Sequence, residues 1–551
     1  MQNRWKRIFN FFKRVPDVFW CVFLFSLLIY ILTCARHLSW EHDGADGGDL
    51  AICAYTLGIP HPTGYPLYCL LGWLFVHIVP IGEVAFRLNL FSALFAALGA
   101  AFSALAVMHA SDLIWSNADE RLKHFWIPII AGFSIAFSYS YWSQALIVEV
   151  YALNAFFLAL ITYFAVLFIK SESELAKERI FFWTAFATGL GFTNHMSTLY
   201  PLFASLIMYG VYGWVPRWKT FIKGVALFIL PLLLYLYLPI RSSMNPLMDW
   251  GDPENMSGFL WVLLGKQFKR LIFSSLFPQI LYRIYSQINL IKQLGWMGLV
   301  ASLFGIGYML WTMNRKNRPF YIFLSSVAVL NFIHIANYLV IDPLSFMLPA
   351  FMVLGIFASI GAGFILIYAS EYNKRVKDDK KSPLGSLAIK VSVLTCFLIP
   401  SLMFVLHYYT VDVSKDAKAY DYAVRSFSNA VEGSVICEAY YGRSLSLLYY
   451  HHVEGMGKDK NITPIYFEHT MFPWGKKNFR QHYPQYAITP DDNMGDADEI
   501  SRDFILRNYD KVPAIYFGYE FEAPDGYEWK AIDDLFQVIR IDDKHSPASH
   551  L

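Results

Sequence analysis

Long apolar runs dominate the first 410 residues, and they constrain the fold more than any other feature of the chain. A transmembrane helix needs about 20 apolar residues to cross about 30 Å of hydrocarbon. With 56% hydrophobic and only 16% charged residues among 551, the chain is too apolar for an ordinary soluble protein. We predict eleven spans, near residues 17–36, 86–110, 126–146, 150–170, 180–196, 198–214, 221–240, 294–312, 319–340, 345–369 and 386–409.

The positions of lysine and arginine predict the orientation of these spans. If the N-terminal stretch RWKRIFNFFKR is cytoplasmic, the loops on the same side are all basic: NADERLKH, KSESELAKER, VPRWKTFIK, NRKNR and NKRVKDDKK. The intervening loops carry almost no lysine or arginine, in agreement with the positive-inside rule. We therefore expect a multi-pass protein of a bacterial inner membrane, with its N-terminus in the cytoplasm. Residues 41–68, the loop 241–293 and the tail would face the periplasm.

The tail after residue 410 has a different texture, so we divide the chain into a membrane domain, 1–410, and a periplasmic domain, 411–551. The runs GSVICEAY, ITPIYFEH and VPAIYFG are typical of short buried strands, and SLSLLYYHHVEG and DEISRDFILRNY of helices. This pattern predicts a small α/β domain. An aromatic patch there suits sugar or peptide contact as well as core packing: Tyr440, Tyr441, Tyr449, Tyr450, His451 and His452. We expect the tail to select acceptors and to leave the chemical step to the membrane domain.

The first outer loop, EHDGADGGDLAICAYTLGIPHPTGYPLY, concentrates polar residues directly after a span. Its glycines permit sharp turns, DLAICAYTLG has the spacing of a short amphipathic helix, and Pro66 suits the start of a second helix. Such a platform would hold Asp43, Asp46 and Asp49 above the bilayer. Clustered carboxylates are costly unless something uses them, so we predict that one is a general base. The alternatives are helix capping by Asp46 and Asp49, and a calcium loop of unusual spacing.

Two further outer loops place polar residues at helix ends. Glu149 interrupts the apolar run in YWSQALIVEVYALN, and Asn194 and His195 stand in GLGFTNHMS. An ionisable residue at membrane depth is a functional hypothesis by default. The alternatives are a water-exposed helix end for Glu149 and a structural role for His195.

Positive charge is scarce on the outer side except near residues 241–270. Arg241 ends a span there, and Lys266, Lys269 and Arg270 follow. Arginine gives bidentate contacts to phosphate oxygens, so this cluster suits a phosphate-bearing substrate at the membrane surface. Contact with lipid headgroups is the alternative for the three later residues.

Five blocks of residues 15–350 resemble, in order, a family of multispanning proteins whose animal members are O-mannosyltransferases of plexin-type receptor domains. The blocks are DGGDLAICAYTLGIPHPTGYPLY, VAFRLNLFSAL, YWSQALIVEVYALN, GLGFTNH and LPIRSSMNPLMDWGDP. The family looks like a branch of the GT-C glycosyltransferases, which use polyprenyl-phosphate sugars and carry a catalytic acid in the first outer loop. The resemblance implies an acidic pair at Asp46 and Asp49, where many relatives have Glu at the second position. It also implies functional positions at His61, Tyr65, Arg87, Glu149, Tyr151, Asn194, His195 and Trp250.

Together these features predict a GT-C-like membrane glycosyltransferase. We expect it to move a mannose-like hexose from a polyprenyl-phosphate donor to an acceptor hydroxyl, most simply a protein serine or threonine, with inversion. Asp46 and Asp49 would be catalytic, and Arg241, Arg87, Lys266 and Arg270 would hold the donor phosphate. No metal, separate cofactor or nucleic-acid partner is expected; the expected partners are the lipid-linked donor, the acceptor and membrane lipids. The alternatives are a glycan-modifying glycosyltransferase, and a transporter or flippase.

Overall fold

The structure is a computed structural model that describes residues 15–272, 280, 290–340, 342–378, 384–489 and 496–541. Helices make up its larger, N-terminal part. In chain order they are α1 (Asp17–Thr33), α2 (Gly47–Thr56), α3 (Pro66–Ile78), α4 (Val84–Ile114), α5 (Ile127–Ala136), α6 (Tyr139–Gln144), α7 (Tyr151–Lys170), α8 (Glu174–Phe192), α9 (Leu199–Tyr212), α10 (Trp218–Leu232), α11 (Tyr237–Ser242), α12 (Met256–Leu263), α13 (Leu290–Thr312), α14 (Arg318–Ala336), α15 (Pro343–Phe346), α16 (Leu348–Asp378) and α17 (Leu384–Val411).

Seven helical segments in the described ranges are long and apolar enough to cross a membrane. They contain α4, α7, α10 with α11, α13, α14, α16 and α17, and each corresponds to a predicted span. The other four predicted spans coincide with helices that are shorter or carry charge at one end: α1, α5, α8 and α9. The run 126–146 is the least regular, because the helix stops at Ala136 and restarts as α6.

The first outer loop forms the two short helices that its sequence predicts. α3 begins at Pro66. Proline suits the first turn of a helix because the backbone N–H that it lacks would have no partner there. Residues 47–54 of α2 are all buried, so this helix is enclosed by protein on every side. The helix was expected to lie open on the membrane face, and what covers its outer side is the tail.

The tail forms a five-stranded sheet flanked by helices. Its elements are α18 (Lys418–Asn429), β1 (Val435–Glu438), α19 (Tyr441–His452), β2 (Thr463–Tyr466), α20 (Phe467–Thr470), α21 (Pro473–His482), α22 (Ala497–Asn508), β3 (Ile515–Phe517), β4 (Tyr527–Ile532) and β5 (Leu535–Arg540). The strand order is β2-β1-β3-β5-β4. β2, β1 and β3 are parallel, and β5 and β4 extend the sheet as an antiparallel hairpin.

One hydrophobic core joins the tail to the first outer loop. Side chains from α2, α3 and the start of α4 belong to the same buried cluster as side chains from α18 and α19. The membrane helices have a separate large core, shared by α1, α4, α5, α7, α14 and α16. Loop and tail therefore lie on the same side of the helix bundle and form one packed layer.

Candidate active site

Asp49 and His61 form a fixed pair at the centre of the first outer loop. Both the backbone N–H of His61 and its Nδ1 lie 2.8 Å from Asp49 Oδ2. The thiol of Cys53 donates to the other carboxylate oxygen at 3.5 Å. Asp49 is 0% exposed, so its carboxylate orients His61 and cannot itself reach a substrate in this conformation.

Asp46 approaches the other side of the same imidazole. Its Oδ2 lies 3.5 Å from His61 Nε2, and its side chain retains 35% exposure. Although Asp46 immediately precedes α2, it makes no capping hydrogen bond to that helix, which excludes the capping alternative. Of the two predicted catalytic carboxylates, Asp46 is the one whose geometry permits contact with a ligand.

The two aspartates control the charge of His61. Burial opposes protonation, but Asp46 and the hydrogen bond that the ring donates to Asp49 outweigh it and raise the pKa of the His61 imidazole to about 9. The ring is therefore cationic at neutral pH. Tyr65 Oη lies 3.0 Å from His61 Nε2, and its hydroxyl also donates to the Pro62 carbonyl at 3.2 Å.

Two more carboxylates converge on Asp46 from other outer loops. Glu149 is only 3% exposed, which excludes the reading of a water-exposed helix end. Burial, together with the charges of Asp46 and Asp342, raises the pKa of Glu149 well above its usual value. Burial and Asp46 likewise raise the pKa of Asp342 to about 7. A raised pKa favours the protonated carboxyl group, which can donate hydrogen bonds where an ionised carboxylate cannot.

Aromatic and amide groups fill the space around this cluster. The Tyr151 hydroxyl donates to Asp342 at 3.3 Å, and the His195 ring lies 5.4 Å from Tyr151 and 6.3 Å from Tyr65. The Asn194 amide donates to the Val150 carbonyl at 3.1 Å, which ties the α8–α9 turn to the Glu149 loop. The structure thus gathers the predicted residues of three outer loops at one place.

His195 is neutral, and its tautomer is fixed. Its Nδ1 accepts a hydrogen bond from the Ser197 backbone N–H at 3.2 Å, so the ring proton resides on Nε2. Burial, followed by the neighbouring His334 and His61, lowers the pKa of His195 to about 3.

Two of the arginines predicted to hold phosphate are engaged in the loop itself. Arg241 donates to the carbonyls of Leu57 at 2.7 Å and Thr56 at 3.1 Å, which lie at the C-terminal end of α2, away from Asp46. Arg87 donates to the Val76 carbonyl at 3.0 Å and to the Gly82 carbonyl at 2.8 Å. Both guanidinium groups therefore stabilise helix ends and turns of the platform.

Lys266 and Arg270 are exposed on the 3₁₀ helix Lys266–Leu271. The Leu271 carbonyl at its end accepts a hydrogen bond from the Leu339 N–H at 2.8 Å, so this helix is held close to the segment that carries Asp342. Its Gln267 accepts a hydrogen bond from the Trp250 indole at 3.0 Å. Trp250 is buried, with its ring 6.2 Å from that of His61.

The tail reaches the site through α19 and the segment that follows β2. Burial, followed by the nearby charges of Asp46 and Asp49, raises the pKa of Tyr441 well above its usual value. Asp49 and Asp46 also act on Tyr466, after the larger effects of burial and Glu468. Tyr449 and Tyr450 are buried against the loop, where their hydroxyls accept hydrogen bonds from the backbone of Ala85 and Leu38. These two tyrosines of the predicted aromatic patch therefore lie where the tail contacts the first outer loop, and they offer no surface for a sugar.

Sequence reasoning missed Asp342, Lys292 and Tyr466 as site residues, and it named Tyr441 only as part of the aromatic patch of the tail. Asp342 stands between two spans in NYLVIDPLSF, the same context that identified Glu149, so that signal was present. Lys292 contributes positive charge beside the exposed Asp43 and lies 3.8 Å from the centre of the Tyr139 ring. No local pattern linked Tyr441 or Tyr466 to Asp46, because only the docking of the tail brings them there.

In the described ranges, three residues far from this site have ligand atoms close enough to hold a metal ion: Asp112, Glu120 and His124. Asp112 already pairs with Lys170 at 2.7 Å and Lys123 at 3.4 Å. These cations neutralise the Asp112 carboxylate. The cluster is a network of ion pairs at the far end of α4.

Comparison with known proteins identifies the part of the chain that carries this site. Residues 46–215 match the family described as the protein O-mannosyl-transferase TMEM260 N-terminal domain. The match begins at Asp46 and includes the loops of His61, Glu149 and His195.

Two curated TMEM260 proteins are similar over longer stretches. The protein O-mannosyl-transferase tmem260 of Dictyostelium discoideum is 26% identical over 463 residues, which cover 77% of this chain and 54% of the relative. The mouse protein O-mannosyl-transferase TMEM260 is 31% identical over 243 residues, 43% of this chain and 32% of the relative. The chain thus spans about half of one TMEM260 relative and a third of the other.

The similarity to solved structures extends beyond residues 46–215. ArnT from Cupriavidus metallidurans, solved bound to undecaprenyl phosphate, superposes with a TM-score of 0.55 over 95% of this chain and 98% of its own, at 13% identity. The likeness therefore confirms the GT-C fold predicted from the sequence.

Proposed function

We propose that this protein is a membrane glycosyltransferase that moves a mannose-like hexose from a polyprenyl-phosphate donor to a serine or threonine hydroxyl of a protein acceptor. The observation that carries the proposal is the Asp46–His61–Asp49 arrangement, in which a buried carboxylate orients a cationic imidazole beside a partly exposed carboxylate. The names of the TMEM260 relatives support the choice of sugar and acceptor. Nucleotide sugars are cytoplasmic, so a transferase acting on the outer side requires a donor that arrives through the membrane.

Asp46 is the general base in this proposal. It removes the proton of the acceptor hydroxyl as the oxygen attacks the anomeric carbon, and the polyprenyl phosphate leaves from the opposite face, which inverts that centre. Asp49 is a positioning residue because it orients the His61 imidazole, and His61 positions Asp46 by facing its carboxylate. Glu149 and Asp342, whose raised pKa values favour the protonated form, donate hydrogen bonds to sugar hydroxyls.

The departing phosphate needs positive charge nearby. Lys266 and Arg270 are exposed and held close to Asp342, and Lys292 adds charge beside Asp43. We assign the donor phosphate to these cations and assign Arg241 and Arg87 to the support of the loop. Asn194, His195, Tyr65, Tyr151 and Trp250 form the walls that shape the donor sugar site.

The test is turnover by purified full-length protein with a synthetic polyprenyl-phosphate mannose and a threonine-containing peptide. Asp46→Asn should lower the rate about 10²- to 10⁴-fold, the usual loss when a general base is removed. Asp525→Asn, at an exposed tail turn, is the matched control and should retain full activity. A loss of less than about tenfold in Asp46→Asn would remove Asp46 from the role of base.

The same assay separates catalysis from transport. Detergent-solubilised protein has no closed compartment, so release of mannosyl-peptide there can arise only from transfer. A protein that binds the donor but releases neither mannosyl-peptide nor lipid phosphate would be a binding scaffold, and the proposal would fail.

The proposed orientation has its own test. In a Cys21→Ser background the remaining cysteines are buried, so a new exposed cysteine can be read alone. Asp525→Cys in the tail should react with an impermeant maleimide in intact spheroplasts, whereas Ser116→Cys at the opposite end of α4 should react only after lysis. The reverse pattern would place the site in the cytoplasm.

A further inference from the structure

An open groove of about 680 Å³ lies between the loop that follows α11 and helix α21 of the tail. Asn255, Ser257 and Trp261 line one wall, and Trp474, Lys477 and Gln481 line the other. Its volume is within the range of about 300–1,000 Å³ that is usual for ligand sites. No residue of the groove belongs to the carboxylate cluster described above.

Ion pairs fix the width of this groove. Lys477 Nζ lies 2.8 Å from Asp252 Oδ2 and 3.2 Å from Glu254 Oε2. On the same helix, Asn478 donates to the Pro246 carbonyl at 3.3 Å. The two sides of the groove are thus tied together, and Asp252 and Glu254 are both paired with Lys477.

The aromatic side of the groove contains polar atoms without partners. The Trp261 and Trp474 rings are 6.2 Å apart, and the Trp474 indole N–H is buried with no acceptor in the described part of the protein. The His469 ring lies 5.0 Å from that of Trp474, and its buried Nε2 likewise has no hydrogen-bond partner among the described residues. Both atoms are covered by the surrounding protein, so in this conformation they are not open to a ligand in the groove.

A single residue connects the groove to the carboxylate cluster. The Trp250 ring lies 5.6 Å from the Trp474 ring and 6.2 Å from the His61 ring. The groove therefore lies beside the carboxylate cluster, with the buried Trp250 ring between them.

We propose that this groove binds an extended polypeptide segment of the acceptor. The two carboxylates beside the groove are paired with Lys477, which leaves fewer acceptors for sugar hydroxyls. The groove offers the side-chain amides of Asn255 and Gln481 and two tryptophan rings. Amides pair with peptide groups and the rings cover apolar side chains, which suits a peptide better than a glycan. The inference rests on the proposed function and names its acceptor site.

Binding is tested directly, with the full-length protein in nanodiscs. The probe is a fluorescein-labelled nonapeptide pool with threonine at its centre and randomised uncharged residues elsewhere, followed by fluorescence anisotropy. Ser257→Trp fills the groove and Gln481→Leu removes an amide, and both positions are exposed. Each variant should weaken peptide binding, Ser257→Trp by at least about tenfold. Ser428→Trp, exposed on the far helix α18, is the matched control and should bind as the parent does.

The outcomes separate the groove from the function. Loss of binding in Ser257→Trp, with normal binding in Asp46→Asn, supports the groove even if no donor is turned over. Where turnover exists, Ser257→Trp should raise the peptide KM more than it lowers kcat. Equal peptide binding by Ser257→Trp and the parent would overturn the proposal, as would displacement of the probe by a mannose oligosaccharide and not by unlabelled peptide.

Discussion

Gly48 of the first outer loop packs directly against the backbone of Leu445 in the tail. A Cβ atom at position 48 would lie 2.7 Å from the Leu445 carbonyl oxygen, closer than such atoms approach in proteins. Helix α19 therefore lies on α2 at backbone distance, one residue from Asp49. Through this contact the tail helps to fix the position of the first outer loop.

Gly48→Ala should loosen the tail, because neither backbone can move without disturbing its helix. We expect a loss of about 1–3 kcal/mol in stability and faster hydrogen exchange in residues 441–452. Gly210→Ala is the matched control, since this helical glycine has open space around it and should cause no loss. Unchanged exchange in Gly48→Ala would mean that the two helices separate readily in solution.

Because of His61, the free energy of unfolding should fall as the pH rises into the alkaline range. The folded state binds its proton more tightly than the unfolded state, because the pKa is about 9 in the fold and 6.5 in a free side chain. The stabilisation is therefore complete below pH 6.5 and is lost as the pH rises through 9. Thermal unfolding of His61→Gln should show a flatter profile over this window, while the exposed His77→Gln should keep the parental slope. Parallel profiles for all three proteins would contradict the assignment.

Asp342 should also make stability fall as the pH rises, but over a lower pH range. Its carboxyl group is harder to ionise in the fold, with a pKa of about 7 against 3.8, so the fold loses stability as pH rises from 3.8 through 7. Asp342→Asn mimics the protonated form, and its melting temperature should exceed the parent's at pH 8 by more than at pH 5. Asp525→Asn, exposed in both states, should show no such trend. If the Asp342→Asn difference is the same at both pH values, the carboxyl group is not buried against Asp46.

Arg241→Ala distinguishes loop support from phosphate binding. Because the guanidinium caps carbonyls at the end of α2, its removal should destabilise the protein and speed hydrogen exchange in residues 50–58. Hydrogen bonds from a charged group are worth about 1.5–3 kcal/mol, and partial exposure places this one at the lower end. Arg241→Lys should recover part of the loss, and the exposed Arg217→Ala should cause none. An intact melting temperature combined with a raised donor KM would return Arg241 to the phosphate.

Most secondary-structure elements of this fold could be predicted from local sequence, whereas several of the contacts between them could not. Apolar runs and basic loops predicted the helices, and a carboxylate in an apolar loop correctly marked Glu149 as unusual. Arg241 illustrates the limit, because its partners stand 184 and 185 residues earlier in the chain and no local pattern names them. The β4–β5 hairpin was also missed, since its turn is Asp533–Asp534 in place of a strong asparagine–glycine or aspartate–glycine signal.

The glycines of DGADGGD show a related limit. Their sequence suggested freedom to turn, yet Gly48 is an ordinary helical residue whose small size matters for what packs on it. A missing side chain looks the same in the sequence whether the backbone bends or another helix approaches. Only the tertiary contact distinguishes the two cases.

The hydrogen bond between the Leu38 N–H and the Tyr450 hydroxyl joins residues 412 positions apart. The loop is made early in translation, whereas its covering helix α19 follows α1 to α17 in the chain. A protein cut before α19 would leave the outer side of α2 uncovered and would lack Tyr441 beside Asp46. The layer of side chains around Asp46 can therefore assemble only after the tail has been synthesised.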